Sequence, residues 1–478
     1  MAQKIPRLVI AGLSGDSGKT IVTLSLLTAL RQQRLKTSVF KKGPDYIDPA
    51  WLSLCAKSTC RNLDTFLIEP DDVVQTFIKY SVDSDIAIIE GNRGIFDGKD
   101  ISGTHSTAGL AKLLRAPVVL IVNCVKSTRT VAAIVKGCVD FDPDLNIAGV
   151  ILNKVAGKRH EKIITESIET YSGLKVLGAI PNLGNETEII PGRHLGLVTP
   201  SEYDGDNQLS LKLKELAKNY LNIDKIIDIA NNAKSIDDEI KPISKFNKPN
   251  VKIGYFKDSV FTFYYPENLK ALEREGAELV PVSSINDNEL PDIDGLYIGG
   301  GFPETQAEKL IENKTMMTSL KNAADDGLPI YAECGGLIYL SKSLTWKNKT
   351  YAMAGVFPVD LIMNEKPVGH GYIEGKVEEE NPYFKIGARF KGHEFHYTGL
   401  LDYRNELAPR IKLSTGRGLG NRTDGLLYNN CMACYCHIHA NGMKEWASNF
   451  VAAAGSKKKV KPRKSDTIES GEKVADKV

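Results

Sequence analysis

Five short runs rich in β-branched and apolar residues, Leu8 to Ala11, Thr37 to Phe40, Ile86 to Glu90, Val118 to Asn123 and Gly149 to Asn153, recur through the first third of the chain with longer helix-like stretches between them. Alternation of this kind builds βαβ units, and strands that are apolar on both sides of the pleat need both faces covered. The expected fold is α/β, a doubly wound parallel sheet flanked by helices. From about Asn222 to Asn250 the pattern lapses into polar spacing, and a second strand and helix series opens at Val251, continuing through Glu278 to Val282, Gly295 to Ile298 and Pro329 to Glu333. The expected organisation is an N-terminal domain over 1–222, a linker over 223–250, a second α/β domain over 251–454 and a disordered basic tail over 455–478.

The length of 478 residues is room for two or three domains, and 42% hydrophobic with 25% charged residues is an ordinary globular balance. The purest apolar stretch, Ala116 to Val125, has ten residues and includes Asn123, short of the roughly 20 that a membrane helix needs. Lys4 and Arg7 precede Leu8 to Ala11 much as in a signal peptide, but the apolar run is too short and leads directly into a glycine loop. The tail from Gly455 carries eight Lys/Arg against four Asp/Glu, leaving 53 basic and 55 acidic residues in the body. With no basic excess in the body, no nucleic-acid or membrane partner is expected, and phosphate recognition must be local. Eight scattered cysteines, Cys55 to Cys436, favour reduced thiols in a cytoplasm.

The sharpest motif is Gly12-Leu13-Ser14-Gly15-Asp16-Ser17-Gly18-Lys19-Thr20, between the first strand and the helical stretch Ile21 to Gln32. It reads as a phosphate loop one residue longer than the standard spacing. Backbone N–H groups at Gly12, Gly15 and Gly18 would curl round phosphate oxygens, Lys19 would reach the β/γ-phosphates of ATP, and the Thr20 hydroxyl would ligate Mg²⁺. Ile86 to Gly91 is a buried strand ending in Glu90, the form taken by an acid that holds Mg²⁺ beside such a loop. Lys41-Lys42-Gly43-Pro44-Asp45-Tyr46-Ile47-Asp48-Pro49 sets two carboxylates three residues apart just past the second strand, at the edge where open α/β sheets bind ligands.

In the second domain, Ile330 to Leu337 puts Cys334 at the end of an apolar strand, ahead of Gly335-Gly336. This reads as a nucleophile elbow: an exposed thiol at a helix N-terminus with a lowered pKa, and a Gly335 N–H available to an oxyanion. The base expected for it is His437, in Tyr435-Cys436-His437-Ile438-His439. Cys431, Cys434, Cys436 and His437 together resemble soft metal ligands but lack a second ligand pair at zinc spacing. Gly392-His393-Glu394-Phe395-His396-Tyr397 falls one residue short of the H-E-x-x-H pattern and reads instead as a substrate-site or interdomain loop.

Taken in order, the long phosphate loop, the 42–49 segment, Arg61-Asn62-Leu63-Asp64, Glu90-Gly91, Ile151-Leu152-Asn153-Lys154, Arg193-His194-Leu195-Gly196-Leu197, Glu333-Cys334-Gly335-Gly336, Gly392 to Tyr397 and the terminal His-x-His closely resemble the cobyrinate a,c-diamide synthase family. The resemblance spans about residues 6 to 450. It implies a P-loop amidoligase domain fused to a class I type glutamine amidotransferase domain. The implied substrates are a small-molecule tetrapyrrole, glutamine and ATP, with Mg²⁺ at Thr20, Glu90 and Asp48. Asp45, Tyr46 and Asp48 would meet the tetrapyrrole carboxylate as an acyl phosphate forms, Asn153 would lie near the adenine, and Cys334 with His437 would release ammonia from glutamine.

The chain departs from the family at Leu13, Gly15-Asp16-Ser17 and Ala440, and at His439, where class I amidotransferases commonly carry the acid that orients the histidine. That acid is unassigned by the sequence, as are the macrocycle, its metal, the order of amidation and whether the chain forms a homodimer. Related enzymes act on cobyrinate, hydrogenobyrinate, sirohaem or nickel-sirohydrochlorin. Partitioning ATPases share a related phosphate loop but have no use for a Cys334/His437 domain.

Overall fold

All five runs of the first third become strands of one parallel sheet in the computed structural model, which describes residues 3–460 except 184–188, 194–195, 204, 239–245 and 402–406. The strands are β1 (Arg7–Gly12), β2 (Thr37–Lys42), β3 (Arg61–Leu63), β4 (Ile86–Gly94), β5 (Val118–Asn123), β6 (Ile147–Val155) and β7 (Val176–Pro181). Their order is β3-β2-β4-β1-β5-β6-β7, with every neighbouring pair parallel. Successive residues of β1 enter opposite cores: Val9 and Ala11 join Ile89 and Leu120 on one face, Leu8 and Ile10 join Ile88 and Ile121 on the other. Two-faced burial accounts for the near-continuous apolar runs. The chain fills one side of β1 with β2, β3 and β4, then crosses to β5, so a ligand crevice opens beyond the carboxyl ends of the central strands. Helix α1 (Lys19–Gln32) starts there and is buried along most of its length.

The stretch read as a linker begins with a helix, Ile223–Asn231. Its polar residues conceal a stripe at helical spacing: Ile226 and Ala230 are buried in the first domain's core, with Ile223 and Ile227 packed beside them.

The second sheet runs, in spatial order, Ala277–Val282, Val251–Phe256, Gly295–Ile298, Ile330–Glu333, Cys431–Cys434 and Leu426–Tyr428, parallel except for the last pair. Beside it lies an antiparallel sheet that the sequence reading did not foresee, including Gly369–Val377, Arg389–His396 and Ile411–Thr415. Gly392 to His396 belong to one of its strands and not to a loop. The two halves meet through buried polar contacts: the Arg61 guanidinium is 2.5 Å from Glu267, and the Tyr372 hydroxyl donates to Asp64 at 2.8 Å. The final helix, Trp446–Val460, buries Trp446, Phe450 and Ala454 and continues past the boundary drawn at 454. The rest of the basic tail, 461–478, lies outside the described residues, as do His194 and Leu195.

Candidate active site

At the end of β1 the phosphate loop turns into α1 through Gly18, whose φ of 92° lies in the left-handed region that glycine accommodates without strain. Gly12 is needed for space, because a Cβ there would lie 2.0 Å from Ser17 Oγ, whereas a Cβ on Gly15 would meet nothing within 4 Å. Lys19 Nζ donates to the carbonyls of Ser14 (2.8 Å) and Arg93 (3.0 Å), so it spans the mouth of the loop. Burial, then the nearby Lys41 charge, lowers the Lys19 pKa. Asn153 braces the loop from β6, its Nδ2 donating to the Ser17 carbonyl at 3.0 Å. It also lines a narrow crevice with Gly18, Ile21, Val22 and Ile180.

One strand away, the acids gather around a lysine. Lys41 Nζ lies 2.5 Å from Asp48, 2.7 Å from Glu90 and 3.8 Å from Asp45. Burial opposes its charge, but the three carboxylates prevail and hold its pKa well above the usual lysine value. Asp45 is pushed up to about 8, first by burial and then by Asp48. One ammonium among three carboxylates leaves a negative surplus, which favours proton uptake by the cluster or a bound cation. Glu90 is fully buried, its pKa raised by that burial, and its Oε2 has no hydrogen-bond partner among the described residues. Thr20 Oγ1 lies 3.3 Å from the other Glu90 oxygen. An orphaned carboxylate oxygen beside a hydroxyl, in a cluster with surplus negative charge, fits Mg²⁺. Such an ion would draw its remaining ligands from phosphate and water; no group of three or more His, Cys, Asp or Glu side chains among the described residues is placed to hold a metal by itself. The loop holding these acids is itself fixed: Asn62 donates to the carbonyls of Gly43 (2.8 Å) and Asp45 (2.7 Å), and the Asp45 carboxylate accepts from the amides of Ile47 and Asp48.

Cys334 ends the strand Ile330–Glu333 with φ 47° and ψ −95°, the strained turn expected of an elbow. The thiol is not exposed, however, and its pKa is not lowered: burial, followed by Glu304, pushes it well up. The following helix is only six residues long, and its dipole with the Gly335 N–H offsets little of the lost hydration. Such a thiol stays protonated until a base takes its proton. Gly335 lies hard against the next strand, a Cβ there being 2.9 Å from the Gly301 amide nitrogen.

His437 is held by backbone pairing with His393, each amide donating to the other's carbonyl, at 2.8 and 3.1 Å. Gly392 permits this approach, since a Cβ there would lie 2.2 Å from Cys436 Sγ and 2.3 Å from the His437 carbonyl. The two imidazoles stack at 5.0 Å, and the same strand reaches Cys334, whose Sγ is 4.0 Å from the Phe395 carbonyl. The strand Arg389–His396 therefore touches both residues, His437 through His393 and Cys334 through Phe395. Cys431 points into one core, and Cys434 and Cys436 into another, so these thiols do not converge on a metal position.

Tyr46 joins the two halves. Its ring stacks on Phe263 at 5.1 Å and lies 5.2 Å from His437, although it belongs to the Asp45–Asp48 loop. A cavity of about 800 Å³ lies between the domains, lined by Asp45 and Tyr46 on one side and by His393, Phe395 and His437 on the other, with Lys42, Arg93, Lys99, His105 and His370 among its other walls.

The CobQ/CobB/MinD/ParA nucleotide binding domain matches residues 8–188, and the CobB/CobQ-like glutamine amidotransferase domain matches 252–444. A cobyrinate a,c-diamide synthase of Magnetococcus marinus is 40% identical over 94% of this chain and 97% of its own length. Those of Archaeoglobus fulgidus and Dehalococcoides mccartyi are 38% and 39% identical, covering 95% and 93% of this chain and 98% and 97% of theirs. The chain belongs to the cobyrinate a,c-diamide synthase family.

Within that family frame, two contributors had gone unassigned. Lys41 has no role assigned by its motif, and its signal is a lysine at the penultimate position of a buried strand beside acids. Asp424 accepts hydrogen bonds from the amides of Tyr435 and Cys436 and so fixes the backbone leading into His437, with nothing in its local sequence to mark it. No helix among the described residues is long and apolar enough to cross a membrane.

Proposed function

We propose that this chain makes amides at the a and c acetate carboxylates of cobyrinate, spending one ATP and one glutamine on each, in the cytoplasm. The observation that carries this reading is the shared cavity: the acidic loop that would meet the carboxylate and the histidine that would serve the glutamine site line the same space. Its basic wall of Lys42, Arg93 and Lys99 suits a macrocycle carrying several carboxylates, and Tyr46, Phe263, Tyr372 and Phe395 offer apolar and aromatic faces to the ring.

Carboxylates do not condense with ammonia in water, so the carboxylate oxygen first attacks the γ-phosphorus of ATP, giving an acyl phosphate and ADP. Lys19 and the loop amides hold the phosphates, and Lys41 keeps Asp48 and Glu90 in register. Thr20 and Glu90 would hold Mg²⁺, with Asp48 next to them, and the ion would neutralise phosphate charge during transfer. Asn153 and the crevice beside Gly18 suit the adenine. At the other site, Cys334 attacks the glutamine amide, ammonia leaves, and water releases glutamate from the thioester. Ammonia passing Tyr46 then displaces phosphate from the acyl phosphate.

Incubation of the full chain with cobyrinate, ATP and glutamine, followed by mass analysis, tests the proposal. Two amides per macrocycle, with one ADP and one glutamate for each, is the expected result. Amidation of nickel-sirohydrochlorin or sirohaem with cobyrinate untouched would reassign the substrate. Glutamine hydrolysis with no macrocycle amidated would reject it.

A further inference from the structure

His437 has one ring nitrogen, Nδ1, that is buried and makes no hydrogen bond among the described residues. The carboxylate facing it is Glu333, whose Oε2 is 3.5 Å away. Glu333 precedes the nucleophile and is fully buried. It is also held in place: Oε1 accepts from the Ile438 amide at 3.1 Å, and Oε2 accepts from the Tyr297 hydroxyl at 3.0 Å, which in turn accepts from Asn268 at 3.1 Å. A buried carboxylate keeps its charge only with donors around it, and an imidazole N–H closing a few tenths of an ångström would be the third. His439 stands where an orienting acid was expected and faces elsewhere, with its Nε2 3.6 Å from Glu267, the partner of Arg61.

We infer that Glu333 is the positioning residue of the glutamine site, holding His437 with its proton on Nδ1 and leaving Nε2 to serve Cys334. The assignment rests on the reading of Cys334 and His437 as the glutamine-hydrolysing pair. The thiol proton passes to Nε2 as sulfur bonds to the amide carbon. That proton leaves on the departing ammonia as the C–N bond breaks. A water then gives a proton to Nε2 as its oxygen displaces sulfur, and the proton returns to the thiolate when glutamate departs.

The test compares Glu333→Gln, Glu333→Asp and His437→Ala in the full chain, reading glutamine hydrolysis from pH 6 to 9 alongside amidation with ammonium salts. Glu333→Gln keeps acceptors for Ile438 and Tyr297 but removes the charge. Its glutaminase kcat should fall at least about 30-fold, with KM changed less than about threefold and amidation from ammonium within about twofold of wild type. Glu333→Asp should recover part of the lost rate. An unchanged kcat in Glu333→Gln, or an equal loss of ammonium-dependent activity, overturns the assignment. Should Glu333→Gln not fold, Glu333→Asp decides: a selective loss of glutaminase kcat supports it and an unchanged kcat overturns it. Retained glutamine hydrolysis in His437→Ala overturns the underlying pair, whereas a dead His437→Ala beside a fully active Glu333→Gln overturns the role of Glu333 alone.

Discussion

At the ligase end of the shared cavity an ammonium sits among three carboxylates, Lys41 with Asp45, Asp48 and Glu90. At the other end two stacked imidazoles, a buried thiol and a single carboxylate, Glu333, are packed together. His393 is held well below the usual histidine range, first by burial and then by His437, and Cys334 is pushed up by its burial. The first arrangement suits phosphates and a cation, whose charges need counter-charges already in position. In the second, burial keeps the Cys334 thiol protonated, as the proposed glutamine chemistry requires until substrate and base are aligned. Loss of any one charge among Lys41 and its carboxylates should therefore disable the first end, whereas the second should respond to changes of packing as well as to loss of the Glu333 charge.

The largest effects are expected where each end loses its working group. Lys19→Ala should lower amidation from either nitrogen source by at least about a thousandfold, on the order of 4 kcal/mol, with glutamine hydrolysis continuing. Cys334→Ser should do the reverse, losing glutamine-dependent amidation while ammonium still supports it. Assays of both variants with both donors would break the comparison if either change silenced both ends.

Acid tests the seam between the ends. Glu267, drawn down to about 2 by His439 and Arg61 against its own burial, binds its proton more weakly folded than unfolded. The stability it adds is present above about pH 4.5 and is lost as pH falls towards 2, on the order of 3 kcal/mol. Glu267→Gln should flatten that part of the denaturation profile, and an unaltered acid slope would remove the pair from the account of the seam.

Removing charge at the ligase end through Asp48→Asn or Glu90→Gln should cut macrocycle-dependent ATP consumption about a hundredfold, about 2.7 kcal/mol. Gly392→Ala should destabilise by about 1–3 kcal/mol, because a methyl group would overlap Cys436 and the His437 carbonyl. Its glutaminase activity should suffer more than its ammonium-dependent activity, which the two assays on one preparation would reveal. Deleting 461–478, a polar and basic segment, should leave turnover within about twofold.

The same contrast governs what could be read in the sequence. The ligase end gathers at the carboxyl edge of one sheet, so the Gly12 to Thr20 and Asp45 to Asp48 segments, and Glu90 within its strand, are each marked by an apolar run that turns to polar residues. Lys41 lacked a role because strand periodicity does not say which lysine of a pair turns inward to the acids. At the glutaminase end, Cys334 stood out by its glycines. Its exposure was misjudged because Phe395, some 60 residues later, comes over it. Glu333 had a faint signal, a carboxylate closing the apolar Ile330-Tyr331-Ala332, but its partner is about 100 residues away. The His393–His437 pairing belongs to an added sheet that no local pattern announces. The helix Ile223–Asn231 reads as linker in the sequence because its apolar stripe, Ile223 to Ala230, is little more than two turns long.

The central claim is that ammonia made at Cys334 reaches the acyl phosphate through the cavity past Tyr46. Turnover with glutamine labelled with ¹⁵N at its amide, in the presence of an excess of unlabelled ammonium, measures this directly by mass. The product amides are expected to carry the label almost undiluted. Amides with the isotopic composition of the bulk ammonium would contradict a route through the cavity.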